Sequence, residues 1–161
     1  MKVLLNVEVE NIEKDINRQI IVDDNLRLSN FCEMLILSFN GEYPYFYEFH
    51  TDDNSYSPLD LKDSLSVDNI ILKNLKIKIG QEFDLEYNID KSYYFKIKVD
   101  KIYDDENDNS FFEVISGKGY GIVEDCGGTL GLYEVFYGEN SYYEQYHIND
   151  FDLEKCNKMF K

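Results

Sequence analysis

The sequence contains no alanine, no tryptophan and only two arginines, Arg18 and Arg27. Basic residues are scarce as a whole: 16 Lys and Arg face 32 Asp and Glu, which leaves a formal net charge of −16. Proteins that bind DNA or RNA need surplus Lys and Arg to displace counterions from phosphates, and anionic membranes attract the same residues. We therefore expect neither direct nucleic-acid binding nor membrane docking.

Cysteines and long apolar runs are also few. The sequence has an odd number of cysteines, which are Cys32, Cys126 and Cys156. No two of them have the two-residue spacing of a zinc knuckle or a redox pair. No apolar run approaches the roughly 20 residues that span a bilayer, and the first residues alternate and turn acidic, unlike a signal peptide. We expect a reducing cytoplasm as the compartment and no cofactor.

The apolar residues that are present follow the periods of strands and helices. Alternation predicts strands near residues 1–9, 20–22, 45–49, 83–89, 93–99 and 111–115. Residues 28–39 follow the spacing of an amphipathic helix, with Asn30 or Ser29 as its cap and Gly41 at its end. Residues 152–159 predict a closing helix capped by Asp150. We expect one α+β domain over residues 1–161, a mixed, mainly antiparallel sheet with two to three helices on one face.

Four stretches and a closing segment follow one another along the chain. They are Ile16-Asn17-Arg18-Gln19-Ile20, residues 26–49, residues 83–90, Glu124-Asp125-Cys126-Gly127-Gly128 with Gly131 after it, and residues 150–157. Together they resemble the plasmid pRiA4b ORF-3-like family, also known as transposon passenger proteins. The chain departs from the family pattern at Asn17, where the family has Trp, and at Asn88, where it has Asp. The resemblance implies a mixed α+β fold and a mobile-element setting, but no mechanism.

The segment from Glu124 to Gly128 has two interpretations. Glu124 and Asp125, next to a thiol and flexible backbone, are the residue types that hold a divalent ion or act as acid and base. Equally, Asp125 can cap a helix, while Gly127, Gly128 and Gly131 permit a tight turn and close packing. The structural interpretation is favoured because capping carboxylates are far more common than catalytic ones.

Acidic and tyrosine-rich segments are the candidates for partner binding. Asp104, Asp105, Glu106 and Asp108 form an acidic turn that lacks the Gly and Glu of a calcium loop. Near the C-terminus, Tyr137, Tyr142 and Tyr143 lie among glutamates, a composition that disfavours nucleic-acid stacking and favours a basic protein partner. The alternative is that these tyrosines fill the core and reflect a biased codon composition.

These observations lead to three functional hypotheses. The first is a small, acidic, non-catalytic interaction protein that binds, and inhibits, a basic nucleic-acid-handling protein by charge mimicry. The second is a metal-assisted hydrolase or nucleotide-binding enzyme that uses Glu124 and Asp125. The third is a purely structural domain of a larger assembly.

Overall fold

The computed structural model describes residues 1–58, 63–105, 111–139 and 143–160. Eight strands form a single sheet in the order β5-β4-β3-β6-β7-β1-β2-β8. The strands are β1 (Lys2–Val9), β2 (Asn17–Asp23), β3 (Tyr47–His50), β4 (Ser55–Ser57), β5 (Leu65–Ser66), β6 (Glu82–Tyr87), β7 (Tyr93–Tyr103) and β8 (Phe112–Lys118). The helices are α1 (Leu28–Ser38), α2 (Gly128–Tyr137) and α3 (Leu153–Lys158), with a 3-10 helix at Leu72–Leu75. The neighbouring strands pair antiparallel except for β4 with β5, so the predicted α+β class is confirmed.

The sheet curls around α1. The ring of Phe31 on this helix lies 6.3 Å from Phe49 of β3 and 6.3 Å from Phe112 of β8. In a flat sheet these two strands would be separated by five steps of about 4.8 Å each. Alternate residues of the long strands therefore turn inward and enclose α1 in one apolar core, and their neighbours form a polar outer face. No helix within the described residues is long and apolar enough to cross a membrane.

Arg18 is a cation buried inside this core. Its side chain is 2 % exposed, and its guanidinium lies 4.6 Å from the Phe39 ring and 4.0 Å from the Phe151 ring. It donates to the backbone carbonyl oxygens of residues Asn17, Ser38, Lys118 and Tyr120 at 2.8–3.3 Å. Burial lowers the pKa of Arg18 to about 10. One side chain thus joins β2, the end of α1 and the segment after β8.

Asn157 of α3 covers the free edge of strand β8. Its side-chain amide donates to the Val114 carbonyl at 2.7 Å and accepts from the Val114 N–H at 2.9 Å, as a neighbouring strand would. An uncovered strand edge offers unpaired backbone groups to other chains. The amide of Asn157 therefore satisfies the strand and blocks edge-to-edge pairing at this position.

We expect Asn157→Ala to lower the free energy of unfolding by about 2 kcal/mol, because both polar backbone groups of buried Val114 lose their partner. Urea denaturation followed by circular dichroism measures this change. The exposed Asn149 provides the matched control, since Asn149→Ala should change stability by less than about 0.5 kcal/mol. Equal stability of the two variants would contradict the role assigned to Asn157.

The boundaries of α1 and α3 follow the predicted periodicity, whereas the sequence pattern does not predict α2, and the residues predicted to cap the first turns of α1 and α3 are wrong. Helix α1 begins after Arg27 without a side-chain cap, so neither Ser29 nor Asn30 serves in that role. At its other end Asn40, with φ +65°, takes the left-handed conformation, and the Gly41 N–H donates to the Ile36 carbonyl at 2.9 Å, so both residues close the helix. Helix α3 is capped by the Asp152 carboxylate, which accepts from the Lys155 N–H at 3.0 Å, and not by Asp150. At both helix starts the sequence offers several eligible caps within one turn, so the sequence alone does not select one of them.

Candidate functional site

Glu124 braces two loops at one end of the sheet. Its Oε1 accepts a hydrogen bond from the Tyr87 hydroxyl at 2.5 Å and another from the Glu42 backbone N–H at 2.9 Å. Tyr87 is buried, and burial together with the Glu124 contact raises the pKa of its phenol. The carboxylate thus ties the segment before α2 to β6 and to the loop that follows α1.

Cys126 also makes internal contacts. Its Sγ lies 3.3 Å from the hydroxyl of buried Tyr93, which donates to the Val123 carbonyl at 2.6 Å. Burial raises the pKa of the Cys126 thiol, so the unreactive thiol form predominates at neutral pH. Between these two residues Asp125 is exposed, with a φ of +59°. The three side chains therefore point to different environments and do not converge on one cleft.

The glycines that follow allow α2 to approach the β6–β7 turn. Gly128 has a φ of +74°, and a Cβ atom there would lie 2.5 Å from the Ser92 carbonyl oxygen. A Cβ at Gly131 would overlap the Cys126 carbonyl oxygen, whereas Gly127, with φ +101°, has more space. Thr129 completes the junction, because its backbone N–H donates to the Ser92 carbonyl at 3.0 Å. These glycines form the tight junction that the turn interpretation describes.

We expect Gly128→Ala to destabilise the protein by at least about 3 kcal/mol, because a left-handed φ and a backbone clash act together. Gly80 separates the two causes, since it has a similar φ of +85° but no atom within 4 Å of the point where a Cβ would lie. Gly80→Ala should therefore cost only the conformational part, about 1–2 kcal/mol. Chemical denaturation of both variants gives the comparison, and equal losses would show that the close approach to Ser92 is unimportant.

The predicted binding residues do not lie together. Asp104, which is exposed, and Asp105 follow the end of β7. Tyr137, at the end of α2, bonds through its hydroxyl to Asp15 in the β1–β2 connection, at the opposite end of the sheet. Strand β7 has 11 residues, so the two regions are roughly 30 Å apart. Tyr143 packs on the core 6.4 Å from the Tyr146 ring, while Glu106, Asp108 and Tyr142 lie outside the described residues.

Exposed aromatic rings are concentrated at the Tyr137 end. We call residues 40–46, 88–94 and 122–139 the aromatic end of the sheet. The pairing of β6 with β3 and β7 brings the first two segments together, and the hydrogen bonds of Glu124 and of the Thr129 N–H join the third segment to them. The large apolar side chains exposed there are Tyr43, Tyr45, Phe46, Ile89, Tyr94, Leu130, Tyr133 and Tyr137. Sequence reasoning missed the first three, although consecutive aromatic residues around Pro44 were a signal for an exposed loop.

Negative charge accompanies these rings. The aromatic end contains a single lysine, Lys91, and its acidic residues are Glu42, Asp90, Glu124, Asp125, Glu134 and Glu139. Apolar rings surrounded by carboxylates are the composition expected of a surface that binds a cationic and partly apolar segment. This end of the sheet is therefore the candidate binding surface.

The outer face of the sheet has a different character. A groove of about 760 Å³ crosses it, and its wall includes carboxylates, amides and two lysines. Asp84 lies opposite Lys96 and Glu82 opposite Lys98 in the β6–β7 register, so charges of both signs alternate across the groove. Within the described ranges, no three His, Cys, Asp or Glu side chains are grouped to hold a metal ion.

Comparisons with known proteins agree with the fold. A solved structure, a protein of unknown function, MM3350, from Methanosarcina mazei Go1, superposes with a TM-score of 0.78 at 18 % identity and covers 96 % of each chain. At that identity the likeness concerns the fold alone. No curated protein matches the sequence. The family model described as plasmid pRiA4b ORF-3-like protein matches residues 2–158, and the chain therefore belongs to the plasmid pRiA4b ORF-3-like family.

Proposed function

We propose that this protein is an acidic, non-catalytic binding protein that docks on a basic, nucleic-acid-handling protein and competes with nucleic acid for it. The observation that supports this proposal is the aromatic end, where half-exposed rings lie among carboxylates in a chain of net charge −16. The family description, which refers to a plasmid, fits a mobile-element setting in which such partners are common.

The negative charge of the protein and the exposed rings of the aromatic end contribute to different steps of binding. A negative field attracts a cationic partner and raises the association rate, and this effect falls as salt screens it. Aromatic rings supply the contact area that slows dissociation, because they bury much apolar surface at a small entropic cost. A surface that has only one of these features would bind either weakly or without selectivity for cations.

The enzyme hypothesis has less support from the geometry. Glu124 Oε1 accepts two internal hydrogen bonds, so this oxygen connects segments of the chain and is not directed at a substrate. The neighbouring thiol of Cys126 has a raised pKa and a buried tyrosine as its partner. The geometry thus favours a structural function for the segment from Glu124 to Gly128, which connects neighbouring parts of the chain.

The proposal is tested by capture from the lysate of the natural host at about 50 mM and about 500 mM salt, a range over which phosphate-like contacts lose orders of magnitude in affinity. We expect a nucleic-acid-binding protein to be captured at low salt and released at high salt. We also expect the captured protein to lose its nucleic acid when this chain is added. Capture that is insensitive to salt, or no capture at either salt, would contradict the proposal.

A further inference from the structure

We infer that the hollow between Tyr43 and Phe46 receives an arginine side chain of the partner. This inference rests on the proposed function, since it names the chemistry by which the basic partner is recognised. The hollow has a volume of about 200 Å³ and is lined by Tyr43, Phe46, Tyr87 and Asn88. An arginine stem and its flat guanidinium fit a small, mostly apolar hollow of this kind.

Two rings stand at the mouth of the hollow. The side chains of Tyr43 and Phe46 are each 45 % exposed, so a part of each ring faces solvent. Tyr45, 50 % exposed, extends the surface, because its ring centroid lies 4.7 Å from that of Phe46 and 6.3 Å from that of Tyr43. A cation over such ring faces gains electrostatic attraction from their quadrupoles.

The loop that presents the rings is held in place by hydrogen bonds. The Tyr43 N–H donates to the Tyr87 hydroxyl at 3.0 Å, and the Asn88 N–H donates to the Phe46 carbonyl at 2.8 Å. The Glu42 N–H donates to Glu124 Oε1 at 2.9 Å. Because the loop is already ordered, binding does not require the loss of its conformational entropy. The hydrogen bonds that Glu124 accepts from Glu42 and Tyr87 thus also hold the rings of Tyr43 and Phe46 in position for binding.

Charge complementarity selects a cation over a neutral apolar side chain. The exposed carboxylate of Glu42 precedes Tyr43. Beside Asn88, a second hollow of about 260 Å³ is lined by two carboxylates, Asp90 and Asp125, and by one cation, Lys91. A second copy of this chain is disfavoured as the occupant, because two copies that each carry a net charge of −16 repel each other. Arginine is favoured over lysine because its guanidinium is planar, stacks on rings and is more weakly hydrated.

Calorimetric titration with short Gly/Ser peptides that carry arginine, lysine or neutral citrulline tests the inference. We expect the arginine peptide to bind at least roughly tenfold more tightly than the citrulline peptide, and more tightly than the lysine peptide. Phe46→Ala should weaken arginine binding by roughly tenfold, and Glu42→Gln by a smaller factor. Tyr103, 44 % exposed at the opposite end of the sheet, is the control, and Tyr103→Ala should leave binding unchanged.

The outcomes separate the two proposals. Unchanged peptide binding in both Phe46→Ala and Glu42→Gln, with the fold verified by circular dichroism, would overturn the arginine site and leave the proposed function intact. Salt-sensitive capture from the lysate without any arginine binding would have the same meaning. A concentration-dependent dimer that Phe46→Ala dissociates would identify a second copy as the occupant and overturn the inference.

Discussion

Arg18→Lys is expected to lower the free energy of unfolding by about 3 kcal/mol or more, a large part of the 5–15 kcal/mol typical of a domain. A lysine ammonium cannot reproduce the fixed planar fork of a guanidinium, so it cannot reach all four backbone carbonyls while it stacks between two phenylalanine rings. The buried Ser38 carbonyl would lose its strong donor, at a cost of about 1–3 kcal/mol, and the lost contacts with the part-buried carbonyls and the two rings add to this. Urea denaturation followed by circular dichroism measures the loss.

The chain contains a natural control for this experiment. Arg27, the second of the two arginines, is exposed and precedes α1. Arg27→Lys makes the same chemical change on the surface and should alter stability by less than about 0.5 kcal/mol. Similar losses at both positions would show that burial and the carbonyl contacts of Arg18 contribute little.

Stability is expected to fall steeply as the pH rises above about 9–10. Burial raises the pKa of the thiols Cys32, Cys126 and Cys156 above the ordinary value of 9.0. It likewise raises the pKa of the buried phenols Tyr47, Tyr87 and Tyr93 above 10.0. The folded protein keeps protons that the unfolded chain releases, so the stability is complete below these ordinary values and is lost as the pH rises through them.

The expected slope is about 1.4 kcal/mol per pH unit for each such group once its ordinary pKa is exceeded. Arg18 acts in the opposite direction above about pH 10, because burial lowers its folded pKa to about 10, and this offsets the loss from about one of the raised groups. Thermal unfolding between pH 7 and pH 11 measures the net effect. A melting temperature that stays constant up to pH 11 would contradict this account of the core.

Tyr47→Phe measures how much one buried phenol contributes to the loss of stability at high pH. The Tyr47 hydroxyl is buried and has no well-formed hydrogen bond in the described part of the chain. Its removal should therefore raise stability at pH 7 by about 1 kcal/mol and reduce the alkaline loss by one group. Tyr103→Phe, at an exposed position, should change neither quantity.

The periodicity of the sequence predicts local elements better than their arrangement. Residues 28–39 follow a helical spacing because one face of α1 enters the core, and alternation along β1, β6 and β7 has the same origin. The curling of the sheet depends on contacts such as Phe31 with Phe112, which are far apart in the chain. Leu75, Ile77 and Ile79 also alternate in the sequence, but they form no strand: Leu75 is the last residue of the 3-10 helix, and Ile79 is 67 % exposed.

Only a part of the candidate site can be predicted from the sequence, for a similar reason. The chemistry of Glu124 is decided by Tyr87, 37 positions earlier, and by a loop N–H that no motif indicates. Tyr137 is an exposed ring near acidic residues, which its sequence neighbours indicate, but its separation from Asp104 follows from the strand order. The rings around Pro44 gain importance only because the register places them beside Asn88.

Mapping the backbone amide shifts of the labelled protein by NMR during titration with the arginine peptide tests the central claim most directly. We predict shift changes confined to residues 40–46, 88–94 and 122–139, and their loss in Phe46→Ala. Changes centred on the outer face, along β6 and β7 beside Lys96 and Lys98, would place binding elsewhere and contradict it. The absence of shifts at low salt would contradict it as well.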